Sequence, residues 1–305
     1  MSTNLPWPFE TATPAGAEQL RWLHHGSNIS LDFHGDPVTA GLVVFSDGNH
    51  HMALEASLQE FRNRFPEVND IFYATTPPGV LVNYLKAGQM TLGNLTLSRL
   101  PDVFISPPNI LQTLQQNGFV KSHQAFMRSR GNVLLVRKGN PENIQGIADL
   151  LRDDVRLFIS NPVTEKASYD VYSETLRLFA QAQGLDMDDV EALLTDTGRT
   201  CFGELIHHRE APQCLYDGRA DVALIYYHLA LRYTRIFPDL FDFIPLGSAL
   251  SGSKENPQSD SNNITTTYHM GLVNEKNAFA QGLLEFLQSD AVTTIYQHHG
   301  LDRPG

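Results

Sequence analysis

Hydrophobic and polar positions follow one order along the chain: a short apolar run, a polar turn, then apolar residues at helical spacing. Residues 41–45 are the first apolar run, and their length and polar boundary predict a buried strand. Residues 46–49 favour turns and helix N-termini, with Asn49 as the predicted N-cap. A helix should follow and end at Pro66. Its apolar positions are Leu54, Leu58, Phe61 and Phe65.

Two further units of this kind follow in the first half of the chain. Residues 70–74 predict a strand and 75–79 its turn, before a helix that ends at Gly88. Residues 102–106 predict a third strand, and its helix ends at Gly118. Three strand–helix units in succession predict an α/β fold with parallel strands and right-handed crossovers.

The turn after the first strand is a candidate ligand site. A strand–turn–helix unit directs backbone N–H groups and the positive end of the helix dipole to the carboxyl end of the strand. In open α/β sheets, ligands bind in the crevice at this end. The alternative is an ordinary connection with an empty turn, which most α/β units contain.

Composition narrows the class of protein. The 305 residues suffice for two domains, and 42% hydrophobic with 18% charged residues indicates a globular protein with a core. A net charge of −12 argues against nucleic-acid binding but allows an anionic ligand held by local dipoles. Cys201 and Cys214 are too few for a disulfide framework, so we expect packing roles or a single bridge.

The N-terminal residues carry a prediction about location. Residues 1–40 contain no apolar segment of signal-peptide length, and no stretch of the chain is long enough for a transmembrane helix. The chain as written is therefore expected in the cytoplasm, or in the periplasm if a leader is missing. Residues 1–40 are predicted to be an extension ahead of the main fold.

Several motifs in this order carry a resemblance to a known family. The most specific are Lys86-Ala-Gly88 at a helix end and the strand Asp102-Val-Phe-Ile-Ser106. Over roughly residues 41–301, the chain resembles the periplasmic molybdate-binding protein family. Supporting motifs are Asn117-Gly-Phe-Val120, the strand Asn132–Lys138, Ser160-Asn-Pro162, Tyr172-Ser-Glu-Thr-Leu176 and Tyr296-Gln-His-His-Gly300.

The resemblance implies a fold and a division into lobes. It implies the two-lobed type II periplasmic-binding-protein fold, each lobe a mostly parallel sheet flanked by helices. Residues 41–124 and 229–305 would form lobe I, and residues 125–228 would form lobe II. The ligand would lie in a cleft between the lobes. In this family a tetrahedral oxyanion is held there by neutral hydrogen-bond donors at helix N-termini.

The first turn corresponds only in part to the family's site. The liganding serine of the family falls on Asn49, whose amide can still donate, with Gly48 and His50 beside it. Asp47 would repel a dianion unless its carboxylate points away or is itself paired. A protonated His50 would offset that charge.

The remaining ligand residues come from three other segments. In the second turn, Thr76 keeps a hydroxyl and Gly79 offers a backbone N–H. The family's tyrosine falls on Tyr172, and Lys166 adds a cation in the loop before it. Arg209, in a His-His-Arg run, could bind an oxyanion bidentately. The alternative for that run is a solvated helix face with partly packed imidazoles.

The sequence therefore predicts a solute-binding protein for a small anion such as molybdate or tungstate. One alternative is a cytoplasmic sensor or accessory protein for a small organic acid; another is an enzyme that uses Asp47 and His50. The chain has no P-loop, no G-x-S-x-G elbow and no H-E-x-x-H, which favours a non-enzymatic role.

No cofactor and no metal site are predicted. Adjacent residues such as His50 and His51 point about 100° apart on a helix, which makes a shared metal ion unfavourable. The expected partners are the small anion and either a transporter permease or a regulatory protein. Nucleic acid and membrane insertion are not expected.

Overall fold

The computed structural model describes residues 33–92, 95–204, 207–247 and 260–304. Strands and helices alternate along these residues, as the apolar pattern predicts. The strands are β1 (Phe33–His34), β2 (Leu42–Ser46), β3 (Ile71–Thr75), β4 (Met90–Leu92), β5 (Leu95–Leu97), β6 (Val103–Ser106), β7 (Gln124–Ser129), β8 (Asn132–Arg137), β9 (Leu157–Ile159), β10 (Thr200–Phe202), β11 (Val222–Tyr226), β12 (Phe241–Pro245), β13 (Thr267–Leu272) and β14 (Leu301–Asp302). The α-helices are α1 (His51–Arg64), α2 (Pro78–Ala87), α3 (Pro108–Gln116), α4 (Lys166–Ala182), α5 (Met187–Thr195), α6 (His207–Tyr216), α7 (Tyr227–Ile236), α8 (Ala278–Leu287) and α9 (Asp290–His298). Short 3₁₀ helices span Gly48–His50 and Ile147–Leu151.

The described chain divides into two compact units. Unit I comprises residues 33–128 and 267–304, and unit II comprises residues 129–266. The first crossing, between residues 128 and 129, lies close to the predicted boundary. The second lies between residues 266 and 267 rather than 228 and 229, because β12 pairs with β8 and keeps that segment in unit II.

The main sheet of unit I has seven strands in the order β1-β3-β2-β6-β13-β7-β14. Strand β2 pairs in parallel with β3 and with β6, as the three successive units predict. Strand β13 runs antiparallel to both β6 and β7, so the sheet is mixed rather than mostly parallel. Strand β1 pairs with β3, so part of the predicted extension belongs to this sheet. Residues 1–32 lie outside the described residues.

Both faces of this sheet are covered by apolar side chains of helices. Leu54 and Phe61 of α1 pack with α8 and α9 on one face. Leu81 of α2 and Leu111 of α3 pack on the other face. A strand covered on both sides carries a continuous apolar run, which explains why every residue of β2 is buried.

Unit II is a five-stranded sheet in the order β10-β9-β11-β8-β12. Strand β9 pairs in parallel with β10 and β11, whereas β8 is antiparallel to β11 and β12. This sheet is also mixed, and the α/β class predicted from the sequence is confirmed in both units. Among the described residues, we find no helix with the length and apolar character needed to span a membrane.

Candidate functional site

Three strands of unit I end side by side with a hydroxyl residue. Ser46, Thr75 and Ser106 are the last residues of β2, β3 and β6, and all three are fully buried. The registers pair Ser46 with Thr75 on one side and with Ile105 on the other. Each strand is followed by a helix, and we call this place the strand-end edge of unit I. It is the position at which α/β sheets bind ligands.

At the first turn of this edge, a carboxylate caps the 3₁₀ helix Gly48–His50, and the predicted N-cap Asn49 is wrong because it lies inside that turn. Asp47 Oδ1 accepts a hydrogen bond from the Asn49 backbone N–H at 2.7 Å, and the Asp47 side chain is buried. The Asp47 carboxylate is therefore paired with a backbone donor, one of the two arrangements that would reduce its repulsion of an anion. Gly48 and Asn49 are themselves buried in the 3₁₀ turn that Asp47 caps.

His50 belongs to the core rather than to the open side of the turn. Its ring is fully buried, with Nδ1 2.9 Å from the Tyr296 hydroxyl and Nε2 3.2 Å from Ser46 Oγ. Burial, and to a smaller extent the nearby His51, lowers the pKa of His50 to about 3. The imidazole is neutral at pH 7, so the predicted offset of the Asp47 charge by a protonated His50 is wrong.

The positions of the Asp47 carboxylate and the His50 ring bear on the enzyme alternative. The Asp47 carboxylate accepts from Asn49, whereas both ring nitrogens of His50 face hydroxyl groups. A general base must lie within hydrogen-bond reach of the proton that it removes, and His50 has no exposed nitrogen for this purpose.

The second and third turns lead into helices whose N-cap residue is a proline. Helices α2 and α3 begin after Pro77 and Pro107, and neither proline caps its helix with a side-chain hydrogen bond. Gly79 is exposed in the first turn of α2, and Thr76 is fully buried just before it. Ser106 Oγ is buried and has no hydrogen-bond partner among the described residues. First-turn N–H groups lack intrahelical acceptors and suit an anion.

In unit II, Tyr172 is the centre of a buried hydrogen-bond network. Its hydroxyl lies 3.1 Å from His207 Nε2 and accepts the Tyr226 backbone N–H at 3.3 Å. His207 Nδ1 lies 2.9 Å from Glu165 Oε1, and the His207 backbone N–H also donates to that carboxylate. With Nδ1–H donating to Glu165, the proton on the other nitrogen decides the direction of the second contact: Nε2 without a proton accepts from the Tyr172 O–H, and Nε2 with a proton donates to the Tyr172 hydroxyl.

This network keeps a carboxylate charged inside unit II. Burial by itself raises the pKa of Glu165, but the charge and hydrogen bonds of His207 outweigh burial and leave it below its ordinary value. Burial raises the pKa of Tyr172 well above its ordinary value, so Tyr172 remains a neutral phenol.

The other two predicted ligands of unit II lie elsewhere on its helices. Lys166 Nζ forms an ion pair with both carboxylate oxygens of Asp170 at 2.7 Å, and the Lys166 side chain is largely exposed. Arg209 lies on α6 and is half-buried. In the same run, His207 and His208 are buried, so the run is not simply a solvated helix face.

The structure thus places the eight predicted ligands in two groups. Five lie at the strand-end edge of unit I: Gly48, Asn49, His50, Thr76 and Gly79. Three lie in unit II: Lys166, Tyr172 and Arg209.

Sequence reasoning missed Glu165 and Tyr226. Glu165 lies in the loop that the sequence predicts before the Tyr172 helix, and its bond to His207, 42 positions away, gave no sequence signal. The described residues contain no cluster of three or more His, Cys, Asp or Glu side chains that could hold a metal ion.

Comparison with known proteins assigns the family. The profile of the family described as bacterial extracellular solute-binding protein matches residues 42–302. The molybdate-binding protein ModA of Mycobacterium tuberculosis (strain ATCC 25618 / H37Rv) is 28% identical over 178 residues, 58% of this chain and 60% of its own length. ModA of Mycobacterium bovis matches with the same values. The match thus spans less than two thirds of these relatives.

Solved structures with the same fold have low sequence identity. The periplasmic molybdate-binding protein of Azotobacter vinelandii aligns with a TM-score of 0.59 at 14% identity, over 87% of this chain and all of its own. The sulfate-binding protein SubI of M. tuberculosis aligns with a TM-score of 0.60 at 14% identity, over 85% of each chain. These likenesses confirm the type II periplasmic-binding-protein fold. The protein belongs to the bacterial extracellular solute-binding protein family.

Proposed function

We propose that this protein binds a small anionic solute at the strand-end edge of unit I. The observation that carries the proposal is the N-terminus of α2, where the N-cap residue Pro77 offers no side-chain acceptor and Gly79 is exposed in the first turn. Buried hydroxyl residues end three neighbouring strands along the same edge, and one of these strands, β3, leads into α2. Backbone dipoles and hydroxyls bind an anion without a counter-charge, so the net charge of −12 is no obstacle.

Molybdate or tungstate is the first candidate for the ligand. ModA proteins are the curated relatives, and the A. vinelandii neighbour is a molybdate-binding protein. A tetrahedral oxyanion accepts several hydrogen bonds in different directions, which matches donors contributed by separate turns. Asn49, Thr76 and the Gly79 N–H would be the donors from unit I.

A small organic acid is the second candidate, and Asp47 favours it. The buried Asp47 carboxylate adds a negative charge at the first turn, which disfavours a dianion more than a monoanion. Two structural neighbours carry organic ligands: AgtB of Agrobacterium tumefaciens with agropinic acid, and PEB3 with L-phospholactate. Their TM-scores are 0.59 and 0.58.

A thermal-shift screen at fixed ionic strength tests both candidates. The ligands are molybdate, tungstate, sulfate, phosphate, nitrate and a set of small carboxylates. A ligand at 100 times its Kd stabilises the protein by about 2.7 kcal/mol, which raises Tm by several degrees. A response to molybdate and tungstate alone supports the first candidate, and a response to a carboxylate alone supports the second. No response to any anion would overturn the proposal.

A matched pair of variants locates the site. Gly79→Pro removes the backbone N–H, and proline is tolerated in the first turn of a helix. Gly79→Ala keeps the N–H, and its added Cβ would meet no atom within 4 Å. We expect at least a tenfold loss of affinity in Gly79→Pro and little change in Gly79→Ala, measured by calorimetry on variants whose unliganded Tm is comparable.

The protein partner depends on where the protein is located. A transporter permease is the partner if the protein is exported, and a regulatory protein is the partner if it remains in the cytoplasm. Fractionation of cells that express the natural gene distinguishes these cases.

A further inference from the structure

The protein has two cysteines, and the fold brings them to facing elements of unit II. Cys201 lies in the middle of β10 and is half-buried, whereas Cys214 lies in α6 and is buried. Both are reduced in the structure. Neither residue takes part in the network around Tyr172 or in the proposed anion site.

Strand alternation shows which face of β10 carries Cys201. The Thr200 hydroxyl donates to the Leu193 carbonyl of α5, so Thr200 points to the α5 side of the sheet. Successive side chains of a strand point to opposite faces, so Cys201 points to the other side.

Helix α6 covers that other side. Gly203 lies two residues after Cys201 and on the same face. A Cβ atom added at Gly203 would lie 3.2 Å from Glu210 Oε2 of α6. Cys214 follows Glu210 by four positions, one helical turn further along the same face of α6. Gly203 and Glu210 are neighbours. A step of two residues back along β10 from Gly203 to Cys201 covers about the same length as a step of one turn along α6 from Glu210 to Cys214. Cys201 and Cys214 therefore lie opposite one another.

The two thiols have unequal acidity. A hydrogen bond from Cys214, together with the charge of Arg219, lowers the pKa of Cys201 to about 7, although burial and nearby carboxylates oppose this. The same contact and burial raise the pKa of Cys214. Near neutral pH, Cys201 is therefore the sulfur that supplies a thiolate, and the thiolate is the reactive form.

We infer that Cys201 and Cys214 form a modification site for disulfide oxidants, with Cys201 as the attacking thiolate and Cys214 as the resolving thiol. The Cys201 thiolate attacks one sulfur of the oxidant, whose S–S bond breaks and releases one thiolate. Cys214 then loses its proton to water and attacks Cys201, which forms the Cys201–Cys214 bond and releases the second thiolate. Both protein thiols are oxidised, and the oxidant is reduced to two thiols.

The bridge would constrain the segment that positions His207. Residues 201–214 include His207, whose ring connects Glu165 to Tyr172. Oxidation would link β10, which carries Cys201, covalently to α6, which carries both His207 and Cys214. The inference concerns unit II alone and does not depend on the anion site of unit I.

Intact-mass analysis with oxidised glutathione tests the inference. The reduced protein is incubated with the oxidant slightly above neutral pH, then unfolded and alkylated. The wild-type protein should lose the mass of two hydrogens and have no thiol left to alkylate. Cys214→Ser should stop at the mixed disulfide and gain one glutathione on Cys201. Cys201→Ser should react at least about tenfold more slowly, because its remaining thiol is buried and less acidic.

Two results would overturn the inference. One is a wild-type protein that keeps two alkylatable thiols or accumulates disulfide-linked dimers. The other is the reverse behaviour of the variants, with glutathione captured by Cys201→Ser and not by Cys214→Ser. A thermal melt of each reduced variant, compared with wild type, establishes that the assay reports on folded protein.

Discussion

Each unit contains a buried pair of one histidine and one tyrosine, and the two pairs differ in the group behind the histidine. In unit I, His50 Nδ1 lies 2.9 Å from the Tyr296 hydroxyl; in unit II, His207 Nε2 lies 3.1 Å from the Tyr172 hydroxyl. All four side chains are buried, and burial raises the pKa of both tyrosines. The two contacts have similar lengths, although they use different ring nitrogens and the ring planes meet at 40° in unit I and 77° in unit II.

The electrostatic surroundings are opposite. The second nitrogen of His50 faces the Ser46 hydroxyl, and burial keeps this ring neutral. The second nitrogen of His207 faces the Glu165 carboxylate, whose pKa is held low by His207. The difference between the neutral pair of unit I and the charged network of unit II is therefore one carboxylate. The presence of a histidine and a tyrosine in the sequence does not reveal which of the two arrangements forms.

The largest expected effect is on His50. Replacement with alanine removes a fully buried ring, takes the imidazole away from the Tyr296 hydroxyl and leaves the Ser46 hydroxyl with its bond to the Asp47 carbonyl, so we expect about 4 kcal/mol of destabilisation. Urea unfolding measures the loss. His50→Phe fills the space without the hydrogen bonds and should lose about half as much. Equal losses in both variants would show that the hydrogen bonds alone matter here, whereas no loss in His50→Phe would show that packing alone matters.

The pH dependence of stability follows from the same residue. The pKa of His50 falls from 6.5 to about 3 on folding, so the unfolded chain binds the proton first as the pH falls below 6.5. Stability should decrease from that pH and be about 3 kcal/mol lower by pH 4 on account of this group. Urea unfolding as a function of pH should show a weaker dependence in His50→Phe. An unchanged slope in that variant would contradict the prediction.

Glu165→Gln should cost about 2 kcal/mol at pH 7, because His207 loses its negatively charged partner in a buried site. The pKa of Glu165 is lowered on folding, so its stabilisation is present above its ordinary value of 4.5 and is lost as the pH falls through its folded value. The difference between variant and wild type should therefore narrow at acid pH. A difference that stays constant with pH would indicate a packing effect.

Asp47→Ala should cost about 1 kcal/mol, the usual contribution of an N-cap. Removal of the charge should leave anion binding unchanged or make it tighter, as measured by calorimetry. In an enzyme that uses Asp47, the same variant would instead abolish turnover. Weaker anion binding would mean that the carboxylate organises the turn for the ligand.

Lys166→Ala should have the smallest effect, at most about 0.5 kcal/mol, because its ion pair with Asp170 is exposed at both ends. If Lys166 contacted the ligand, the variant would lose affinity for the anion at low salt. Parallel measurement of the ligand-induced Tm shift at two salt concentrations tests this. Unchanged shifts would remove Lys166 from the list of candidate ligands.

The fold was predictable because its signals are local. The apolar run at residues 41–45 marks one strand, the helical spacing that ends at Phe65 marks one helix, and Gly88 adopts the left-handed conformation of a helix end. The position of the second crossing was not predictable, because it depends on the pairing of β12 with β8, about a hundred residues apart.

The site was predictable only as a set of turns. The sequence identified the turns after β2 and β3, but the roles of individual side chains depend on distant partners. Tyr296, 246 positions away, makes His50 a core residue. Glu165 and Tyr226 similarly decide how the Tyr172 hydroxyl is used, and neither is adjacent to it in sequence.

The placement of β13 between β6 and β7 has a consequence for synthesis on the ribosome. Until residues 267–272 emerge, the facing edges of β6 and β7 have no strand to pair with, and unpaired edges promote aggregation. Unit II, whose described residues all lie between residues 129 and 266, can fold while the chain is still being made. Unit I can be completed only after Tyr296 has been added, so a nascent chain arrested at residue 266 should depend on chaperones for unit I alone.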